Sequence, residues 1–190
     1  MKKRIAILAS GKGGNARRII EYFKESHCAE VVLVGSNNSE ALVLKKAADL
    51  GVSCFVFNKS ALTSFSIVLD KLLAERVDFI VLAGFLLKVP NLIINAFPNR
   101  IINIHPALLP KFGGKGMYGK YVHRAVIEEQ EQESGITIHY VNERYDEGAI
   151  IFQRKCNLVE NETVETLAEK ISILEHEHFA RVIEQVVQKL

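Results

Sequence analysis

RIAILASGKGGNARRIIEYFK, residues 4–24, is the stretch on which the fold turns. Residues 4–9 form a short apolar run, Ser10-Gly11-Lys12-Gly13-Gly14 is glycine-rich, and residues 15–24 place apolar side chains at helical spacing. A strand, a tight loop and a helix are the expected result. The alternation recurs downstream: 31–35, 54–57, 79–82 and 101–104 are continuous apolar runs of strand length, separated by helical patterns at 39–50, 63–76 and 90–96. Strands without a polar side must be covered on both faces, as in a parallel sheet flanked by helices. Ser39 is expected to cap its helix, Gly51 to close it, and Pro90 to sit in a first helical turn. The order predicts an α/β fold with a doubly wound, mostly parallel sheet and right-handed crossovers.

The second half changes character. Residues 112–121 hold four glycines, Gly113, Gly114, Gly116 and Gly119, and predict an irregular segment. A helix is expected over 121–132, then two strand-like runs, 136–141 and 149–156, joined as an antiparallel hairpin. From Val164 the apolar positions Leu167, Ala168, Ile171, Leu174, Val182, Ile183, Val186 and Leu190 follow i, i+3, i+4 spacing, with Thr163 as cap. With no linker or repeat in view, residues 1–190 are expected to form a single domain.

Composition narrows the function. The 190 residues carry 24 Lys+Arg against 22 Asp+Glu, a net charge of +2, so no general field draws in nucleic acid or an anionic membrane. The longest apolar run, 79–87, is too short to cross a bilayer. Cys28, Cys54 and Cys156 are odd in number and widely spaced, which favours a reducing cytoplasm over a disulfide framework.

Three places carry candidate chemistry. The Ser10–Asn15 loop, between strand and helix, suits an anion, because glycines allow close backbone approach and the helix terminus is electropositive. Its Gly11-x-Gly13-x-x-Ala16 spacing loosely fits a dinucleotide fingerprint, but the acid expected after the second strand is replaced by Ser36-Asn37-Asn38. Asn103-Ile104-His105-Pro106 ends the fifth strand, where alternation sends Asn103 and His105 to one side. An amide donor beside an imidazole suits an oxyanion, although both residues could equally serve the neighbouring backbone. Asp146, in Tyr145-Asp146-Glu147-Gly148, is either ordinary turn chemistry or a carboxylate that reaches His105 if the hairpin extends the sheet. His139 reads as a core or rim histidine, and His123 and His27 are not compelling. Glu175-His176-Glu177-His178 lacks the spacing that places metal ligands on one helix face, so no metal is expected.

Taken together, SGKGGN at 10–15, LAGF at 82–85, INIHPALLPKF at 102–112 and GITIHYVNERYDEGAII at 135–151 resemble the folate-dependent formyltransferases, in particular their purine-pathway branch. The resemblance runs over nearly the whole chain. It implies transfer of the formyl group of 10-formyltetrahydrofolate to the amino group of glycinamide ribonucleotide, without a metal. It further implies that Asn103, His105 and Asp146 are catalytic, with Asp146 keeping His105 protonated. Gly13, Gly14 and Asn15 would hold the substrate phosphate and Glu175 its ribose. Leu86, Leu87, Lys88, Val89, Asn103, Val141 and Asn142 would line the folate site. The implied partners are these two small molecules, with no nucleic acid or membrane, and the chain would act as a monomer or homodimer. Three departures stand out, the first being Lys12, which occupies a variable loop position and would add charge near the phosphate. Residues 112–121 form a longer loop than in well-known members, either a lid or a surface insertion, and Leu87 stands where some relatives carry a basic residue.

Rival readings are a formyltetrahydrofolate deformylase-like hydrolase, a methionyl-tRNA formyltransferase, and, from another class, a dinucleotide-binding module. The first two normally carry additional domains, for which a single 190-residue domain is expected to leave no room.

Overall fold

The computed structural model describes residues 1–63 and 66–190. The elements run β1 (Lys3–Leu8), α1 (Gly14–Lys24), β2 (Ala29–Ser36), α2 (Leu42–Asp49), β3 (Ser53–Val56), α3 (Lys59–Thr63), α4 (Ile67–Ala74), β4 (Phe79–Leu82), α5 (Asn91–Ala96), β5 (Ile101–His105), α6 (Lys120–Glu128), β6 (Glu133–Tyr140), β7 (Ile150–Asn157) and α7 (Val164–Val187). The sheet has the order β3-β2-β1-β4-β5-β6-β7. Neighbours from β3 to β5 are parallel, while β6 lies antiparallel to β5 and to β7.

The apolar runs explain this arrangement. In β1, Ile5 and Ile7 enter one core with α1, α6 and α7, whereas Ala6 and Leu8 enter a second core with α4 and α5. Phe79 and Val81 of β4 join the first core, and Ile80 and Leu82 the second. Each central strand therefore buries both faces, which is why no polar alternation interrupts it.

Four details differ from expectation. The α2 helix starts after Ala41, which has no side-chain cap; Asn38 instead shapes the preceding turn, its Oδ1 accepting from Glu40 N at 3.0 Å. The pattern over 63–76 divides: Thr63 ends α3 and α4 begins at Ile67, while residues 64–65 lie outside the described residues. Pro90 occupies the position before α5, and Leu190 lies beyond α7, 45% exposed. Gly51 has φ 81°, as a helix-closing glycine should, and Thr163 forms a reciprocal capping box with Thr166.

The strand order reverses between β1 and β4, each of which is followed by a loop at its carboxyl end. Such a reversal opens a crevice in a doubly wound sheet. Ser10 ties the crevice together: its amide donates to Gly84 O at 3.0 Å, its hydroxyl donates to Asn37 Oδ1 at 2.5 Å, and that hydroxyl accepts from Leu86 N at 2.9 Å.

Candidate active site

A cavity of about 620 Å³ opens at that crevice. Gly13, Gly14 and Asn15 line one end, Asn103, His105 and Asp146 the other, and Ala168, Ile171 and Glu175 of α7 form a wall. Segments distant in sequence thus meet because β1 and β5 end on the same side of the sheet, while the β6–β7 connection, which leaves β6 beside the start of β5, runs back to bring Asp146 to His105.

At the first end, Gly13 precedes α1 with φ 69°. A side chain there would place its Cβ 2.6 Å from Val43 Cβ, so only glycine lets the loop turn against α2. The first N–H groups of α1 have no carbonyl within the helix, and the residues that carry them, Gly14 and Asn15, line the cavity. Asn15 Nδ2 donates to Glu175 Oε2 at 2.9 Å, which fixes both side chains. Burial pushes the Glu175 carboxyl above its ordinary range, with the Asn15 bond opposing only in part.

At the other end, the sequence places Asn103 and His105 on one strand face, and His105 is 3% exposed. His105 Nε2 donates to Phe112 O at 2.8 Å, leaving Nδ1 facing Asp146 Oδ2 at 3.6 Å. Burial lowers the His105 pKa, and Asp146 and the Phe112 carbonyl recover only part of that shift. Burial thus opposes the pull of Asp146 on the ring proton, and the folded ring holds that proton less firmly than a free imidazole does.

Asp146 sits in the β6–β7 connection with φ 57°, a conformation that Asp adopts more readily than most residues. Burial raises its pKa, but the neighbouring His139 and His105 rings and the amide of Gly114 together hold it below the ordinary value. Gly114 N donates to Asp146 Oδ2 at 2.9 Å. The glycine-rich 112–121 segment is thus a wall of the cavity, attached to it through Phe112 and Gly114.

Leu86 lines the main cavity, whereas Leu87, Lys88, Val89, Val141 and Asn142 line a cleft of about 70 Å³ that shares Asn103, Tyr145 and Asp146 with it. The glycine-loop end and the expected folate side accordingly flank the Asn103–His105–Asp146 cluster. Among the described residues no group of three or more His, Cys, Asp or Glu could hold a metal ion, and no helix is long and apolar enough to cross a membrane.

Sequence reasoning missed two members of this neighbourhood. His139 faces Asn103 across β5 and β6, with its Nε2 3.2 Å from Asn103 Nδ2 and 3.6 Å from Asp146 Oδ1. Thr137 faces His105; its hydroxyl donates to Ala107 O at 2.7 Å and accepts from Leu109 N at 3.0 Å, which shapes the chain just after the histidine. The I-T-I-H alternation was the available signal, since it puts Thr137 and His139 on one face.

The chain matches the formyl transferase family over residues 3–183. It is 39% identical over 194 aligned positions to a chloroplastic phosphoribosylglycinamide formyltransferase of Arabidopsis thaliana, a match covering 99% of this chain and 66% of that protein. It therefore spans just under two thirds of the plant protein. A phosphoribosylglycinamide formyltransferase of Bacillus subtilis (strain 168) is 33% identical over 97% of this chain and 95% of its own. The crystal structure of glycinamide ribonucleotide transformylase 1 from Symbiobacterium toebii superposes with a TM-score of 0.91 at 33% identity, covering 99% of this chain and 89% of that one.

Proposed function

The chain belongs to the formyl transferase family, and from that premise we propose that it transfers the formyl group of 10-formyltetrahydrofolate to the amino group of glycinamide ribonucleotide, an intermediate of purine biosynthesis. The observation that carries the proposal is one cavity with a glycine-rich helix-opening loop at one end and, at the other, the buried His105 imidazole 3.6 Å from the Asp146 carboxylate. A phosphate at Gly13, Gly14 and Asn15 would extend the rest of the substrate toward Asn103 and His105, with Glu175 beside the ribose. Residues 86–89 together with Val141 and Asn142 would receive the folate. In this reading residues 1–190 act as one catalytic domain, as a monomer or homodimer in the cytoplasm, with small molecules as partners.

The amine nitrogen adds to the formyl carbon, the carbonyl electrons move to oxygen, and breaking the carbon–N10 bond gives the formamide and tetrahydrofolate. Asn103 offers an N–H to the oxygen as its charge develops, a donor fixed before the reaction begins. The amine becomes acidic once it has added, and His105 Nδ1, unprotonated at rest, accepts its proton. Asp146 then faces an imidazolium, and the attraction lost to burial in the resting state is restored when it is needed. His105 returns that proton to the departing nitrogen, so no net proton is consumed.

The test is to follow donor and product with both substrates present and with the ribonucleotide omitted. Formylated ribonucleotide formed in equal amount to tetrahydrofolate is expected. Donor loss at an equal rate in water alone would replace the proposal with a hydrolase.

A further inference from the structure

We infer that His139 is a positioning residue for this transfer: held in one tautomer by the Tyr140 carbonyl, it orients the Asn103 carboxamide toward the reacting oxygen. The inference rests on the reading above, in which Asn103 meets the formyl oxygen.

His139 is 2% exposed, and its Nδ1 lies 2.8 Å from Tyr140 O. A carbonyl can only accept, so Nδ1 carries the hydrogen and the neutral ring has its lone pair on Nε2. Asn103 Nδ2 is 3.2 Å from that lone pair and is its nearer partner, since Asp146 Oδ1 stands at 3.6 Å. One N–H of Asn103 is thereby committed to His139, which fixes which way the amide faces and leaves the second N–H to donate. Without an acceptor at Nε2, the carboxamide would lose the contact that distinguishes its two orientations. Half of them would turn an oxygen toward the developing negative charge, where it repels.

Two backbone features support this placement. The β6–β7 register shifts between Ile138 and His139, so that His139 pairs with Ile150 while Ile138 pairs with Phe152. Such a bulge re-aims a side chain at a sheet margin. Gly148 also approaches Tyr140 so closely that a Cβ there would lie 1.7 Å from Tyr140 O and 3.5 Å from His139 Nδ1. The carbonyl that selects the tautomer thus sits in a space only glycine leaves open.

The experiment compares His139→Leu, His139→Gln, Asn103→Ala and the Asn103→Ala/His139→Leu double variant in steady-state transfer assays, with thermal melts as a check on folding. Gln puts an acceptor oxygen near the place of Nε2. His139→Leu should lower kcat by about 10- to 100-fold, the scale of a misdirected oxyanion donor, with both KM values changed only about two-fold. His139→Gln should recover most of the turnover, and His139→Leu should add little loss once Asn103 is Ala. Independent, multiplying losses in the double variant, or equal loss in the Leu and Gln variants, would overturn the inference. Nitrogen-15 NMR of the imidazole provides a readout that survives if the Leu variant fails to fold: a hydrogen on Nδ1 and none on Nε2 is expected, and a hydrogen found on Nε2 would overturn the inference. A wild-type chain that forms no formylated product would defeat the transferase reading instead, while the tautomer could still be measured.

Discussion

His105 is where burial and charge oppose each other. Its folded pKa is lowered, by desolvation first, so the ring sheds its proton below the ordinary value of about 6.5. Two consequences follow from the sign. The unfolded chain binds a proton here before the folded one does, so this group's contribution to stability is full above pH ~6.5 and is lost as pH falls below it. The proposed mechanism needs the neutral ring, so the acid limb of the kcat–pH profile should also lie below pH ~6.5. Asp146→Asn removes the carboxylate that raises the His105 pKa; the variant should lose turnover, about 10²-fold, while its acid limb moves to still lower pH. A limb that stays in place or moves upward would contradict the assignment of that limb to His105. Glu175 has the opposite sign: its raised pKa means that stability is lost as pH rises above its unfolded value of about 4.3. Glu175→Gln, which keeps an acceptor for Asn15, should melt at a higher temperature at pH 7. It should also raise the KM for the ribonucleotide roughly tenfold, the effect of one weakened charged hydrogen bond. A lower melting temperature would contradict the burial argument.

At the scale of elements, the Ser10–Asn15 turn is the most demanding segment. Gly13→Ala would force a side chain into positive φ and against Val43. It should cost about 1–3 kcal/mol of stability and raise the KM for the ribonucleotide by at least ~10-fold, leaving the KM for the folate nearly unchanged. Equal changes in both KM values would separate this loop from phosphate binding. The loop was legible in the sequence because everything it needs is local: a strand, glycines and a helix in succession. The same holds for Asn103 and His105, two residues apart on one strand, and for the Thr163 cap. The α3–α4 division was not legible, because the 63–76 apolar pattern fits one continuous helix. Nor was His139, whose meaning comes from the pairing register of β5 with β6 and from the bulge opposite it. No property of I-T-I-H taken alone specifies that register. The lowered pKa of His105 was not legible for a related reason, since proximity to Asp146 can be guessed from a hairpin but the depth of burial cannot.

The whole molecule supplies what no element has by itself. With a net charge of only +2, the chain would draw the proposed anionic substrate through a local turn and not through a global field. The reversal of strand order beside β1 places that turn across a crevice from β5, and two antiparallel strands added to the parallel sheet carry Asp146 back to His105. The buried cluster formed in this way is the central claim, and it is tested most directly by the single-turnover rate of formyl transfer in His105→Ala with both substrates saturating and their binding measured in parallel. The account predicts a loss of about 10²-fold or more, with each dissociation constant changed by no more than about threefold. Transfer at a near-normal rate by that variant would contradict it.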